Sequence, residues 1–131
     1  MILDDLVGLP WRDCGRDETG VDCYGLVVLA YRGMLGIELP SYSDRYVTSA
    51  DRAVLGALIE GERGNWTEIA AGEERPMDVL LMMQQGVAQH VGVIVKPGLV
   101  LHIQPDSTAL IENYRRSRLR DRIAGFFRFA P

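Results

Sequence analysis

The hydrophobic period of this chain changes once, near its middle, and no other feature restricts the fold as much. From Asp22 to about Leu35, apolar residues including Leu26, Val27, Leu29, Ala30 and Met34 recur at helical spacing. Gly36 follows as a C-terminal stop, and Asp22 stands where an N-cap side chain accepts the open backbone N–H groups of a first turn. The helix is apolar on nearly all sides, so it is expected to be central and buried. A second helix is predicted over 50–61 from the capping pattern "TSAD" and from Val54, Leu55, Leu58 and Ile59. Residues 1–9 read as a short helix stopped by Pro10, and "WRDCGRDETG" (11–20) reads as a loop. An extended connection is expected over 36–49, and a loop around Trp66 and Pro76 over 62–77.

After residue 77 the period shortens to two. "DVLLMM" (78–83), "AQHVGVIV" (88–95), "LVLHIQ" (99–104) and "ALIENY" (109–114) are short β-type runs separated by Gly, Pro or Asp/Ser turns. "KPGL" between the second and third is a tight-turn signal, and "GFFRFA" (125–130) fits a last strand. Helices first and an antiparallel meander afterwards make an α+β domain, with a helical layer on a sheet. The 131 residues suffice for one such domain, 1–131, and not for two.

The net charge of -4 provides no overall basic field for nucleic acid. The one basic cluster, "YRRSRLRDR" (114–122), is short, contains an acid, and reads as a solvated surface or a local partner contact. No apolar stretch approaches the ~18 residues that span a bilayer. "MILDDLVGLP" has two aspartates and no basic residue, unlike a secretory signal, so synthesis in the cytoplasm without a signal peptide is expected. Two cysteines make no disulfide framework.

The scarce reactive residues are Cys14, Cys23, His90 and His102. Cys23 falls in the predicted first turn of the central helix, where the macrodipole and unpaired N–H groups favour a thiolate. A small buried apolar role is the ordinary alternative for a lone cysteine. His90 alternates with Val91 along its strand, and Gly92 leaves the histidine's own face uncrowded. A hairpin turning near 96–99 brings His102 close to His90 across neighbouring strands, where one imidazole can orient the other. Thiolate, imidazole base and a third polar group together follow the logic of nucleophilic acyl transfer. The same four residues could in principle hold zinc, but their spacing matches no compact finger or knuckle. Neither a metal nor a cofactor is expected, and Cys14, in the polar loop, is expected to be a non-catalytic free thiol.

Four segments in order resemble the NlpC/P60 family, papain-like cysteine peptidases that cleave the stem peptides of bacterial cell wall. "DCYGLV" resembles the family's Asp-Cys-Ser-Gly-hydrophobic signature, with Cys23 at the nucleophile. "RPMDVLLM" is similar to the Pro-Gly-Asp-Leu strand, "HVGVIV" to the His-Val-Gly-Ile strand, and "VLHI" to the strand supplying the third polar residue. The likeness runs from Trp11 to Ile103 and implies His90 as general base and His102 as its orienting partner. It sets Trp11 where the family carries a tyrosine near the oxyanion position. It also sets Tyr24 in place of the signature's serine, on the S2 side of the cleft. Asp22, in the same signature, reads as a cap rather than a catalytic acid. The resemblance implies a papain-like fold with the nucleophile at the N-terminus of the central helix, and peptidoglycan stem peptides as substrate.

The style of residues 8–42 is closer to the phage-encoded branch of the family than to secreted hydrolases. This implies assembly into a phage or phage-like tail particle and a tail-tip or hub protein as partner. Two other readings keep the fold: a tail-tip structural or assembly protein with a vestigial or occluded site, and an amidase or acyltransferase on a non-wall substrate.

Overall fold

The structure is a computed structural model that describes residues 1–41 and 66–130. The helix expected over 50–61 lies outside the described residues.

The chain enters through a 3-10 turn, Leu3–Leu6, which buries Leu3 and Leu6 and is shorter than the helix predicted over 1–9. Part of the stretch predicted as loop, 11–20, folds into a small antiparallel hairpin, β1 (Arg16–Asp17) and β2 (Gly20–Val21). Its strands are two residues each, too short for side-chain alternation to announce them. Helix α1 (Cys23–Leu35) follows. Asp22 is its N-cap, extended at φ -93° and ψ -172°, and its carboxylate accepts the N–H of Gly25. At the other end Gly36 is left-handed (φ 66°), and Ile37 N–H reaches back to Tyr31 O at 3.2 Å, closing a Schellman stop. Every residue from Cys23 to Tyr31 is buried, as the all-round apolar pattern requires.

The remaining strands are β3 (Trp66–Ile69), β4 (Val79–Gln84), β5 (Val87–Lys96), β6 (Leu99–His102), β7 (Leu110–Asn113) and β8 (Ile123–Phe129). They form one six-stranded antiparallel sheet in the order β3-β8-β4-β5-β6-β7. β4 to β7 are the expected meander. β8 departs from it by returning to pair with β4 and β3, and β3 itself arises where a loop around Trp66 was expected. Trp66 is buried by edge-on packing with Phe129 and Tyr31, so the aromatic cluster, not alternation, holds β3 in place.

The pleat splits the sheet into two faces. Val79, Leu81, Val91, Val93, Leu101 and Phe127 join Leu26, Val27 and Ala30 of α1 in the larger core. Leu80, Met82, Ile94, Val100 and Phe126 form a second cluster closed by Tyr114 and Leu119. α1 packs directly on β5 and on the small hairpin.

Candidate active site

Cys23 is the first residue of α1 and is fully buried. The loop before it is folded back onto the helix tip through Asp22. One Asp22 oxygen accepts the N–H of Gly25 at 2.7 Å and Arg16 Nη1 at 2.9 Å; the other accepts the N–H of Cys14 at 3.3 Å. A bare carboxylate next to the cysteine would oppose a thiolate; the Arg16 guanidinium offsets it. Gly25 is required by close approach: a Cβ there would lie 2.0 Å from Gly15 O. The Asp-Cys-x-Gly spacing is thus a packing demand, with cap, nucleophile position and loop seat in four residues.

The second constellation lies on the sheet. The register Val93↔Leu101 and Ile94↔Val100 continues to set Gly92 across from His102, with His90 one diagonal step away. His90 Nε2 and His102 Nδ1 are 2.9 Å apart, with the rings at 72°. His102 Nε2 lies 2.9 Å from Glu112 Oε1 on β7. Both histidines are buried, and the Glu112 side chain is 20% exposed. Burial pushes His102 below its ordinary value, against the upward pull of Glu112. Burial pushes Glu112 up, but hydrogen bonds from His102 and Ser117 outweigh it and leave its carboxyl below the usual range. At neutral pH the pair is therefore a neutral imidazole on an ionised carboxylate.

That protonation state gives the chain of hydrogen bonds a direction. An ionised carboxylate only accepts, so His102 Nε2 donates to Glu112. A neutral His102 then offers a lone pair at Nδ1, which accepts the N–H of His90 Nε2. The nitrogen of His90 left to gain and lose a proton is Nδ1. α1, with Cys23 at its tip, lies against the strand that carries His90.

The other expected positions fall as follows. Trp11 is half-buried against the main core, its N–H bonded to Ser107 O at 3.1 Å and its backbone bridged to Val21. Tyr24 is fully buried: its hydroxyl donates to Pro40 O at 2.8 Å, and Arg16 lies over its ring at 5.5 Å. Arg16 also donates to Ser41 O at 2.8 Å, so Tyr24 and Arg16 together fasten the segment leaving α1 to the helix tip. Cys14 and Cys23 form no disulfide, and Cys14 is half-buried in a left-handed conformation (φ 57°). A cavity of about 260 Å³ lined by Tyr31, Leu35, Ile37, Met77 and Phe129 lies toward the far end of α1, away from Cys23 and the histidines.

Sequence reasoning missed Arg16 and Glu112. A faint signal existed for Glu112, a charged residue in a β-run placed to follow the His102 strand. Its partner depends on the β6–β7 register, Val100↔Glu112, which a seven-residue connection leaves open.

Comparison with known proteins completes the description. The sequence profile of the NlpC/P60 family matches residues 8–128. Among solved structures, the chain is similar to the NlpC/p60 domain of the peptidoglycan hydrolase SagA. The TM-score is 0.65 at 18% identity, over 98% of this chain and 92% of that one. An NlpC/P60 family protein from Bacillus cereus ATCC 10987 gives 0.70 at 20% identity, over 100% of this chain and 41% of that one. A lipoprotein-like NLP/P60 family protein from Staphylococcus aureus subsp. aureus Mu50 gives 0.67 at 20% identity, over 98% and 39%. The chain thus spans about two fifths of these two longer proteins. At such identities the structural likeness speaks for the fold, which is the expected papain-like α+β arrangement. No curated protein sequence matches the chain. The family profile covers nearly its whole length, and the chain belongs to the NlpC/P60 family.

Proposed function

We propose that this chain is a cysteine peptidase that hydrolyses amide bonds in bacterial peptidoglycan stem peptides, with the γ-D-glutamyl to diamino-acid bond as its target. The observation that carries this reading is the directed His90–His102–Glu112 chain on the strand against which the Cys23 helix packs. In the reaction, the Cys23 thiolate attacks the amide carbonyl carbon after its proton has passed to His90 Nδ1. The backbone N–H of Cys23, at the helix tip, is the candidate donor to the tetrahedral oxyanion. Collapse breaks the C–N bond, His90 returns its proton to the leaving amine, and a thioester is left on Cys23. Water, deprotonated by His90, then cleaves the thioester and restores the thiol.

Transport of the enzyme on a phage or phage-like tail, docked to a tail-tip or hub protein, is proposed on the likeness of residues 8–42 to the phage-encoded branch. Purified protein is expected to release the diamino-acid amine from cell-wall fragments or a γ-D-glutamyl substrate, and Cys23→Ala is expected to abolish this. Unchanged turnover in that variant would sink the mechanism.

One observation favours the second reading, a tail-tip structural protein with an occluded site: Cys23 is fully buried while Cys14 is half-exposed. A thiol reagent at mildly acidic pH separates the two. Labelling at Cys23 accompanies an open, activated nucleophile; labelling confined to Cys14, with no turnover and co-purification with a tail protein, supports occlusion.

A further inference from the structure

The histidine chain does not end at His102. Its outer end is a carboxylate from the next strand, and that carboxylate is itself held in place. Ser117, whose Oγ accepts the N–H of Leu119 at 3.1 Å as cap of the 3-10 turn Arg118–Arg122, faces Glu112 and helps hold its carboxyl below the usual range. Arg118, exposed on that turn, adds a favourable charge to the carboxylate. Glu112 is therefore pinned by a turn of the backbone and sits at the edge of the buried relay.

A buried imidazole Nε2 can be satisfied by many groups, including a backbone carbonyl, an amide or a water. An ionised carboxylate, like a backbone carbonyl, only accepts and so forces the proton of His102 onto Nε2, whereas an amide side chain or a water can also donate. With an amide in its place, the chain could run in either direction. In the reversed direction His90 Nε2 would be the accepting nitrogen and its proton would sit permanently on Nδ1, useless as a base toward the thiol.

We propose that Glu112 is a positioning residue, which sets the direction of the His90–His102 hydrogen-bond chain and so presents Nδ1 of His90 as the working base. The catalytic part of this inference rests on the peptidase reading; the tautomer part does not.

The direct test is the nitrogen-15 spectrum of the imidazoles in the full chain labelled at histidine, near neutral pH. His102 is expected to show a protonated Nε2 and a pyridine-like Nδ1. A His102 proton on Nδ1 in the wild type overturns the proposal without any variant being needed. In Glu112→Gln the single tautomer is expected to give way to a mixture, and kcat on a γ-D-glutamyl substrate to fall about 10- to 100-fold with KM little changed. That loss is smaller than the ~10⁴ measured when an orienting aspartate directly on a catalytic histidine is neutralised, because Glu112 acts through an intervening ring. Glu112→Asp is expected to restore the tautomer and part of kcat. An unchanged spectrum together with an unchanged kcat in Glu112→Gln also overturns it. Should Glu112→Gln fail to fold, Ser117→Ala replaces it: that variant loosens Glu112 without removing it, and a smaller loss of kcat in the same direction is expected. If the wild type turns over no wall fragment, the peptidase reading falls, while the spectrum still decides what Glu112 does.

Discussion

Asp22 carries more of the local structure than any other single side chain near the candidate nucleophile. Its fully buried carboxylate caps α1 at Gly25, accepts from Cys14 in the preceding loop and pairs with Arg16 at 2.9 Å. Replacing it with alanine removes a cap worth about 1 kcal/mol and breaks a buried pair, a loss that in general costs about 3–5 kcal/mol. Arg16 is not stranded by the change, since it is 15% exposed and keeps the carbonyls of Gly15 and Ser41. The expected destabilisation for Asp22→Ala is therefore about 2–3 kcal/mol by denaturant titration, below the sum of those terms because Arg16 keeps other partners. Asp22→Asn keeps one oxygen to cap Gly25 but loses the ion pair and the acceptor for Cys14 N–H, so a loss smaller than that of the alanine variant is expected. Equal losses in the two variants would show that the cap contributes nothing. Cys23, His90 and His102 were legible because scarce residue types stood out against the period of their elements. Arg16 was not: nothing in a polar, turn-rich stretch says which of several charges folds back on the helix. Tyr24 was legible only as a departure from a signature. Its ring is buried under Arg16 and its hydroxyl is engaged at Pro40, so the structure shows it fastening the chain beside Cys23.

The hairpin β5–β6 is the element that makes the relay possible, and Gly92 is its tightest point. A Cβ at residue 92 would lie 2.7 Å from Val100 Cγ2, 2.8 Å from Leu101 O and 3.0 Å from His102 Cβ. The valine methyl can swing away, but the Leu101 carbonyl belongs to the partner strand and cannot yield without separating the strands. Gly92→Ala is expected to cost about 1–3 kcal/mol in stability by overpacking. Its effect on turnover should be disproportionate, because displacement of His102 spoils the 2.9 Å contact with His90. Misplacement by about 1 Å can cost on the order of 10²-fold, so kcat measured well below the melting temperature is expected to fall at least tenfold. A folded Gly92→Ala protein with wild-type kcat would show that the His90–His102 contact is dispensable. The glycine beside His90 was readable from "HVGV", but the face expected to be uncrowded is filled by Val100, Leu101 and His102; the turn at Pro97–Gly98 set the pairing. α1 was likewise legible at both ends, since Asp22 and Gly36 are its actual cap and stop. The small hairpin β1–β2 and strand β3 were not, because two- and four-residue strands held by loop contacts or an aromatic cluster leave no periodic trace.

At the scale of the whole molecule, the last strand is the one the sequence could not place. β8 is central, bonded to β3 on one side and β4 on the other, although it comes last in the chain. Arg128 on β8 clasps the carboxylate of Asp78 at 2.9 and 2.8 Å, joining residues 50 positions apart. Period-two patterning identifies such a strand but carries no information about its neighbours. Long-range closure of this kind concentrates buried ionisable groups where distant segments meet, and their perturbed protonation sets how the fold responds to acid. Glu74, on the loop before β4, is buried; burial pushes its carboxyl up, but hydrogen bonds from Tyr114 on the sheet side and from backbone N–H groups bring it below the usual range. Glu112 is depressed in the same sense, and His102 is pushed below 6.5 by burial. All three bind protons more weakly in the folded chain than in the unfolded one, so the unfolded state gains protons first as pH falls. Their stabilisation is complete above the unfolded values and is lost as pH drops through the folded ones, His102 first and the two carboxylates afterwards. Tyr114 has the opposite sense: burial, and then Glu74, push it up to about 12, so its contribution is present below 10 and lost as pH rises through that folded value. The melting temperature followed by circular dichroism is therefore expected to be flat from about pH 7 to about pH 9. It should fall first below about pH 6.5 and more steeply below about pH 4.5. His102→Asn should remove the first part of that decline and leave the second, because asparagine has no proton to gain between those values. A melting temperature that rises between about pH 7 and about pH 5, or a decline unchanged in His102→Asn, would contradict a neutral His102 lodged between His90 and an ionised Glu112.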